Sequence, residues 1–230
     1  MTDIAALRAA NARRWAKAKL TRNFSVVARH LVSPDVRSRY QAVAVKTGVP
    51  WPVIAVIHER ECSQDWTGSL AQGDPWDRIS VHVPAGRGPF KSWEEAAIDA
   101  LNNCAPYAGR NRDWTIGPLL TKLEEYNGLG YAARGVPSPY VWSGTDQYRS
   151  GKYVRDGIYD PNAVDSQPGC AGLLMAMTAL DPTISFSGAA LAPDTSKTPI
   201  AKPSLTKPAH GSIGAWVASI FSAIFKSKGK

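Results

Sequence analysis

The chain has 230 residues, 44 % of them hydrophobic, and a formal net charge of +8. That length suits one catalytic domain plus an appendage, and the apolar share is enough for a real core. No apolar run reaches the length of a membrane span, and the positive balance selects polyanionic partners: nucleic acid, acidic lipid or an anionic cell envelope.

Residues 1–30 read as a basic segment, with a helix over 3–28 rich in Ala and Arg. Its charges surround the whole circumference, so Leu7 and Trp15 are expected to pack it on the main domain. Arg8, Arg13, Arg14, Lys17 and Lys19 interrupt every apolar stretch near the start, which predicts synthesis in the cytoplasm without a signal peptide. The main domain is expected over 31–180. Ser33-Pro34-Asp35 supplies an N-cap, a proline at the first helical position and an acid in the first turn, and Gly48 is a helix stop. Pro50-Trp51-Pro52 breaks the chain and opens a helix running to about Cys62. Gln64 to Lys91 is polar and glycine-rich, with Ile79 to Val83 alternating like a short strand.

Ser92-Trp93-Glu94-Glu95 is a capping box, so Trp93 to about Cys104 is helical. Pro118 to Asn127 forms another helix, closed by Gly128, and Gln167 to Leu180 is an apolar one suited to the core. Residues 181–211, rich in Pro, Ser, Thr and Lys, read as an extended linker. Residues 212–230 hold an apolar run from Ile213 to Phe225 followed by lysines. As a helix those thirteen residues extend only ~20 Å against a bilayer core of ~30 Å. The segment is expected to lie in an anionic membrane surface, or else to pack back on the domain.

Zinc-ligand spacing, ribonucleoprotein motifs and a helix-turn-helix pattern are missing, so nucleic acid is not an expected partner. Cys62, Cys104 and Cys170 are scattered singly. They read as small buried thiols, with one disulfide left open and no metal or cofactor implied.

On a helical wheel, Val53, Ile54, Val56 and Ile57 define one face of the Trp51–Cys62 helix. Glu61 falls on that face, one turn beyond Ile57, whereas Glu59 falls on the opposite side and is expected in solvent. A carboxyl in an apolar setting at a helix C-terminus has a raised pKa, as a general acid near neutral pH requires. The alternative is a buried ion pair, with Arg60 the nearest partner.

Val49-Pro50-Trp51 through His58-Glu59-Arg60-Glu61-Cys62 resembles the catalytic helix of the lysozyme-like superfamily. Goose-type lysozymes and soluble lytic transglycosylases carry a Glu-Ser pair at its end; here Cys62 replaces the serine. Tyr126-Asn127-Gly128 is similar to the Tyr-Asn-Ala-Gly type of motif that lines the cleft in that superfamily. The closer resemblance is to phage and prophage endolysins, through Leu70-Ala71-Gln72-Gly73-Asp74-Pro75, His82-Val83-Pro84-Ala85-Gly86-Arg87, Ser138-Pro139-Tyr140-Val141-Trp142-Ser143-Gly144 and Gly151-Lys152-Tyr153-Val154. With the Glu61 block they cover about 35–180.

The resemblance implies a mainly α, lysozyme-like domain with a small β-hairpin or irregular loop region after the catalytic helix. It implies action on peptidoglycan glycan strands of the cell wall after release, and a monomer is expected. Glu61 is the implied acid. Asp74 and Ser80 resemble the Asp and Thr of T-even-type phage lysozymes, where they would hold the attacking water. Tyr126 and Asn127 are implied to bind the glycan. His58, at the edge of the apolar face, is expected to hold the following loop or reach the substrate. His82 and Arg87 flank Pro84-Ala85-Gly86, where they would contact acidic or N-acetyl groups or fix that loop. Tyr140 and Trp142 belong to a polar, aromatic segment of the kind that binds sugars. The expected outcomes are hydrolysis, closure of a 1,6-anhydro ring as in lytic transglycosylases, or wall binding without catalysis.

Overall fold

The computed structural model describes residues 2–186, and these are mainly helical. α1 (Ile4–Trp15) begins at Asp3, whose carboxylate accepts from the Ala6 amide and so satisfies a donor the first turn leaves open. The helix expected over 3–28 is instead broken at Trp15, and α2 (Ser25–Leu31) is a separate element. The reason is tertiary. The Thr21 amide donates to Gly144 O and the Asp146 amide to Lys19 O, so this stretch of backbone pairs with a distant loop. Phe24 then enters the core against Gly172, where a Cβ would collide with its ring.

α3 (Pro34–Thr47) starts at the expected proline and stops at Gly48, which adopts the left-handed conformation (φ +72°) that glycine accepts without strain. Ser33 occupies the N-cap position, but its hydroxyl donates to His30 O rather than capping. α4 (Trp51–Cys62) is buried from Trp51 through Arg60. A helix apolar around most of its circumference is stable only inside a protein, and α4 accordingly packs against α3 and the later helices α6 (Ile116–Asn127) and α9 (Cys170–Leu180).

The N-cap expected at Ser92 forms, with the reciprocal bond shifted by one residue. The Ser92 hydroxyl accepts from the Glu95 amide, Glu95 accepts from the Lys91 amide, and α5 (Trp93–Asn103) follows. Two short helices, α7 (Gly130–Ala133) and α8 (Pro139–Trp142), lead to a two-stranded antiparallel hairpin, β1 (Lys152–Arg155) and β2 (Ile158–Asp160).

Two expectations are corrected here. Residues 79–83 form no strand, because the Val81 and His82 amides donate to the Asp74 carboxylate instead of to a neighbouring strand. The region between α4 and α5 is the irregular loop, and the hairpin lies well beyond it, at 152–160. The domain also continues past 180. Asp181 pairs with Arg37 at 2.6 Å, Ile184 is buried, and Phe186 packs edge-on against Trp15. The remaining linker residues, 187–211, and the segment 212–230 lie outside the described residues. Among the described residues no helix is long and apolar enough to cross a membrane.

α1 docks on α6 through a buried polar cluster. Asn11 donates to Thr121 Oγ1 (3.2 Å) and Glu124 Oε2 (3.3 Å), and accepts from Trp142 Nε1 (3.3 Å). Each of these partners would be left unpaired inside the protein without Asn11, and an unpaired buried polar group costs roughly 1–3 kcal/mol. Asn11→Ala is therefore expected to lower the stability measured in urea by about 2–3 kcal/mol, with the fold retained.

Candidate active site

α4 runs out of apolar sequence at His58, and each residue after it meets a different environment. His58 is fully buried among Tyr40, Trp66 and Trp93. Its Nε2 lies 3.0 Å from Asp65 O, and its Nδ1 lies 2.9 Å from the Tyr40 hydroxyl. A carbonyl only accepts, so Nε2 carries the proton and Nδ1 accepts from the phenol. Burial pushes this imidazole down to about 4. His58 thus stays neutral and holds the loop at Asp65; at this depth it reaches no substrate, which removes it from the expected binding residues.

Glu59 departs from the expectation of solvent. It is 9 % exposed, Gln64 Nε2 donates to its Oε2 at 2.6 Å, and burial raises its pKa. Gln64 reaches it because Ser63 (φ 49°) and Gln64 (φ 62°) both turn left-handed, a conformation uncommon for residues with a Cβ. The wheel misplaced Glu59 because it assumes a solvent-facing side, and the helix has none at that depth.

Arg60 does not pair with Glu61. Its guanidinium donates to Asp165 Oδ2 at 2.9 Å and to Pro168 O at 3.2 Å, and lies 4.8 Å from the centre of the Tyr140 ring.

Glu61 itself is only partly buried, although protein surrounds most of it. Its Oε1 accepts from the Tyr140 hydroxyl at 2.8 Å. Its Oε2 has no protein partner among the described residues and is not sealed from solvent. Desolvation raises the pKa to about 7, and the Tyr140 hydrogen bond and the Arg60 charge moderate the rise. Near neutrality this is a carboxylic acid with one oxygen fixed and the other open, the state from which a proton can be donated. Tyr126 lies close enough to feel the Glu61 charge and is tied to the post-α4 loop by donating to Leu70 O at 2.7 Å. Asn127, beside it, is partly exposed and makes no side-chain hydrogen bond among the described residues.

No protein-family model, curated protein or solved structure matches the chain. Chemistry must therefore be argued from the side chains themselves, and several expected ones have other work. Asp74 Oδ2 accepts from the Val81 and His82 amides, both at 2.9 Å, and Oδ1 contacts His82 Nδ1 at 2.6 Å. These bonds hold its pKa below the ordinary value, against the effect of burial. The Ser80 hydroxyl donates to Pro84 O and accepts from the Arg87 amide, both at 2.9 Å. Arg87 pairs with Asp99 through two nitrogens. His82 keeps an exposed edge. Asp74, Ser80 and Arg87 thus fasten one loop, and the structure shows no bond from them to Glu61.

Trp142 is a correction: it is fully buried, donates to Asn11, and belongs to the core rather than to a sugar-binding surface. Tyr140 is also buried and acts on Glu61 rather than presenting a ring face. The residue missed from sequence is Asp165, the partner of Arg60, for which no local motif exists. The three cysteines are free, with Cys104 and Cys170 buried and Cys62 partly so.

The Glu61 carboxyl has a definite consequence for stability. Its folded pKa of about 7 lies above its ordinary 4.5, so the folded state binds the proton more tightly. That contribution is complete below about pH 4.5 and is lost as pH rises through 7. Glutamine does not ionise. Glu61→Gln is expected to melt above the wild type at about pH 8, with the gap closing at about pH 4.5, as read by thermal denaturation across pH.

Proposed function

We propose that the chain is a peptidoglycan-cleaving glycosidase of the endolysin type, with a lysozyme-like domain. In this reading it breaks the β-1,4 bond between N-acetylmuramic acid and N-acetylglucosamine, and Glu61 is the general acid. The observation that carries the proposal is the Glu61 carboxyl: held at one oxygen by Tyr140, without a partner at the other among the described residues, and surrounded by protein that raises its pKa to about 7. The order of the motifs around it, the nearby Tyr126 and Asn127, whose side chain has no hydrogen bond among the described residues, support the same reading. The positive charge suits an anionic wall. The enzyme would work as a monomer at the cell wall, with residues 212–230 at an anionic membrane surface.

In the first step Glu61 gives its proton to the glycosidic oxygen as the bond from that oxygen to the anomeric carbon breaks. Two second steps are chemically open: attack by a water that Asp74 holds, or attack by the C6 hydroxyl of the muramyl residue, whose proton returns to Glu61. The bonds that tie Asp74 to Val81 and His82 favour the second, which needs one carboxyl and leaves a 1,6-anhydro end.

The test is digestion of purified peptidoglycan followed by mass spectrometry, read for anhydro against reducing ends. Glu61→Gln should lose activity by on the order of 10²–10⁴-fold. Cleavage by a folded Glu61→Gln protein at wild-type rate would end the proposal. Wall binding without cleavage by the wild type would point to a non-catalytic protein of this fold. The acid must be protonated to act, so wild-type activity should fall as pH rises through about 7.

Asp74→Asn separates the two second steps. As a residue that fastens a loop, it should lower the melting temperature while activity per folded molecule stays within about tenfold. A loss as deep as that of Glu61→Gln, at native stability, would restore the water-holding role.

A further inference from the structure

Arg60 is the chain neighbour of Glu61 and near enough for its charge to act on that carboxyl, yet its guanidinium pairs with Asp165 at 2.9 Å and not with Glu61. Its side chain is 6 % exposed and that of Asp165 2 %. The segment that holds the guanidinium is itself fixed at several points. Lys152 Nζ lies 3.1 Å from Asp165 Oδ1, the Tyr148 hydroxyl accepts from the Asp165 amide, and the Ser143 hydroxyl donates to Asp165 O. Arg22 donates to Ser166 O and Gln167 O. A buried ion pair is a weak device for stability, because desolvating two charges offsets their attraction. This one even leaves Arg60 Nε buried without a partner among the described residues. Its position next to the acid gives it another use.

We propose that the Asp165–Pro168 segment holds the Arg60 guanidinium off Glu61, which makes Asp165 a positioning residue for the candidate acid. Only the consequence for cleavage rests on the proposed function. The groups that face Glu61 are Arg60 and Cys62 from α4, Tyr126 from α6, Tyr140 from α8 and Cys170 from α9. The tyrosines and cysteines are neutral at working pH, since burial raises the pKa of each. Among the described residues, Arg60 is therefore the charged group that faces Glu61. Free to swing, it would pair with Glu61 and favour the carboxylate; an opposite charge within ~4–6 Å lowers a carboxyl pKa by about 1–3. Held by Asp165, Pro168 O and the Tyr140 ring, it leaves the proton on Glu61.

The test follows Glu61 directly, by carbon NMR of side-chain carboxyls in the full chain, with the signal assigned from Glu61→Gln. In Asp165→Asn the Glu61 titration midpoint should move toward acid by about one pH unit or more, with peptidoglycan cleavage falling about tenfold at neutral pH and surviving in acid. The double variant Arg60→Met with Asp165→Leu replaces the buried pair by apolar side chains, a change that folds tolerate. There the midpoint should move the other way, upward, because the cation is gone. Opposite shifts are not what a merely structural pair produces. A midpoint unchanged in a folded Asp165→Asn, or unchanged in the double variant should the single one not fold, would overturn the proposal. Should the wild type cleave no peptidoglycan while both shifts appear, the positioning role stands and the glycosidase reading falls.

Discussion

Polar groups taken out of water must find partners inside the protein, and on α4 three of them follow one another: His58, Glu59 and Arg60. Their demands arrange much of what surrounds the helix. His58 draws in Tyr40 from α3 and the carbonyl of Asp65. Glu59 takes Gln64 across a left-handed turn. Arg60 reaches the segment before α9. Loops that would otherwise be free to vary are tied to one end of one helix, and Glu61 comes next, where burial gives way to partial exposure.

Desolvation acts on all these groups, but its sign depends on the charged form it penalises. It lowers His58 and raises Glu59 and Glu61. Depth alone does not separate the two glutamates. What separates them is access: each has one oxygen held by a single donor and one without a partner among the described residues, but Glu59 is 9 % exposed whereas Glu61 is partly exposed. The pair also pull stability in opposite directions from His58. A lowered imidazole favours the fold above its ordinary pKa of 6.5 and loses that benefit as pH falls through about 4.

Much of the helical framework was legible in the chain. Gly48 and the Ser92 capping box mark helix ends through backbone rules that act over a few residues. Glu61 was legible for a related reason, since it continues an apolar row at the end of a helix. Glu59 was not, because a wheel has meaning only when one side faces water. The strand expected at Ile79–Val83 failed because the Asp74 carboxylate takes the donors a strand needs. Asp74 itself sits in a turn whose composition fits either a catalytic carboxylate or a structural one; its bonds to Val81 and His82 speak for the second.

Helix starts and stops, the apolar character of α4 and the candidacy of Glu61 follow from the order of residues, because sterics, capping and periodicity are local. Which partners the polar groups take does not. Tyr140 meets Glu61 across 79 residues and Asp165 meets Arg60 across 105. Such pairings depend on how helices pack, through contacts that carry no signature in the spacing of either residue. Packing also decides whether an arginine beside a glutamate neutralises it or leaves it protonated. That choice sets the chemistry available at Glu61.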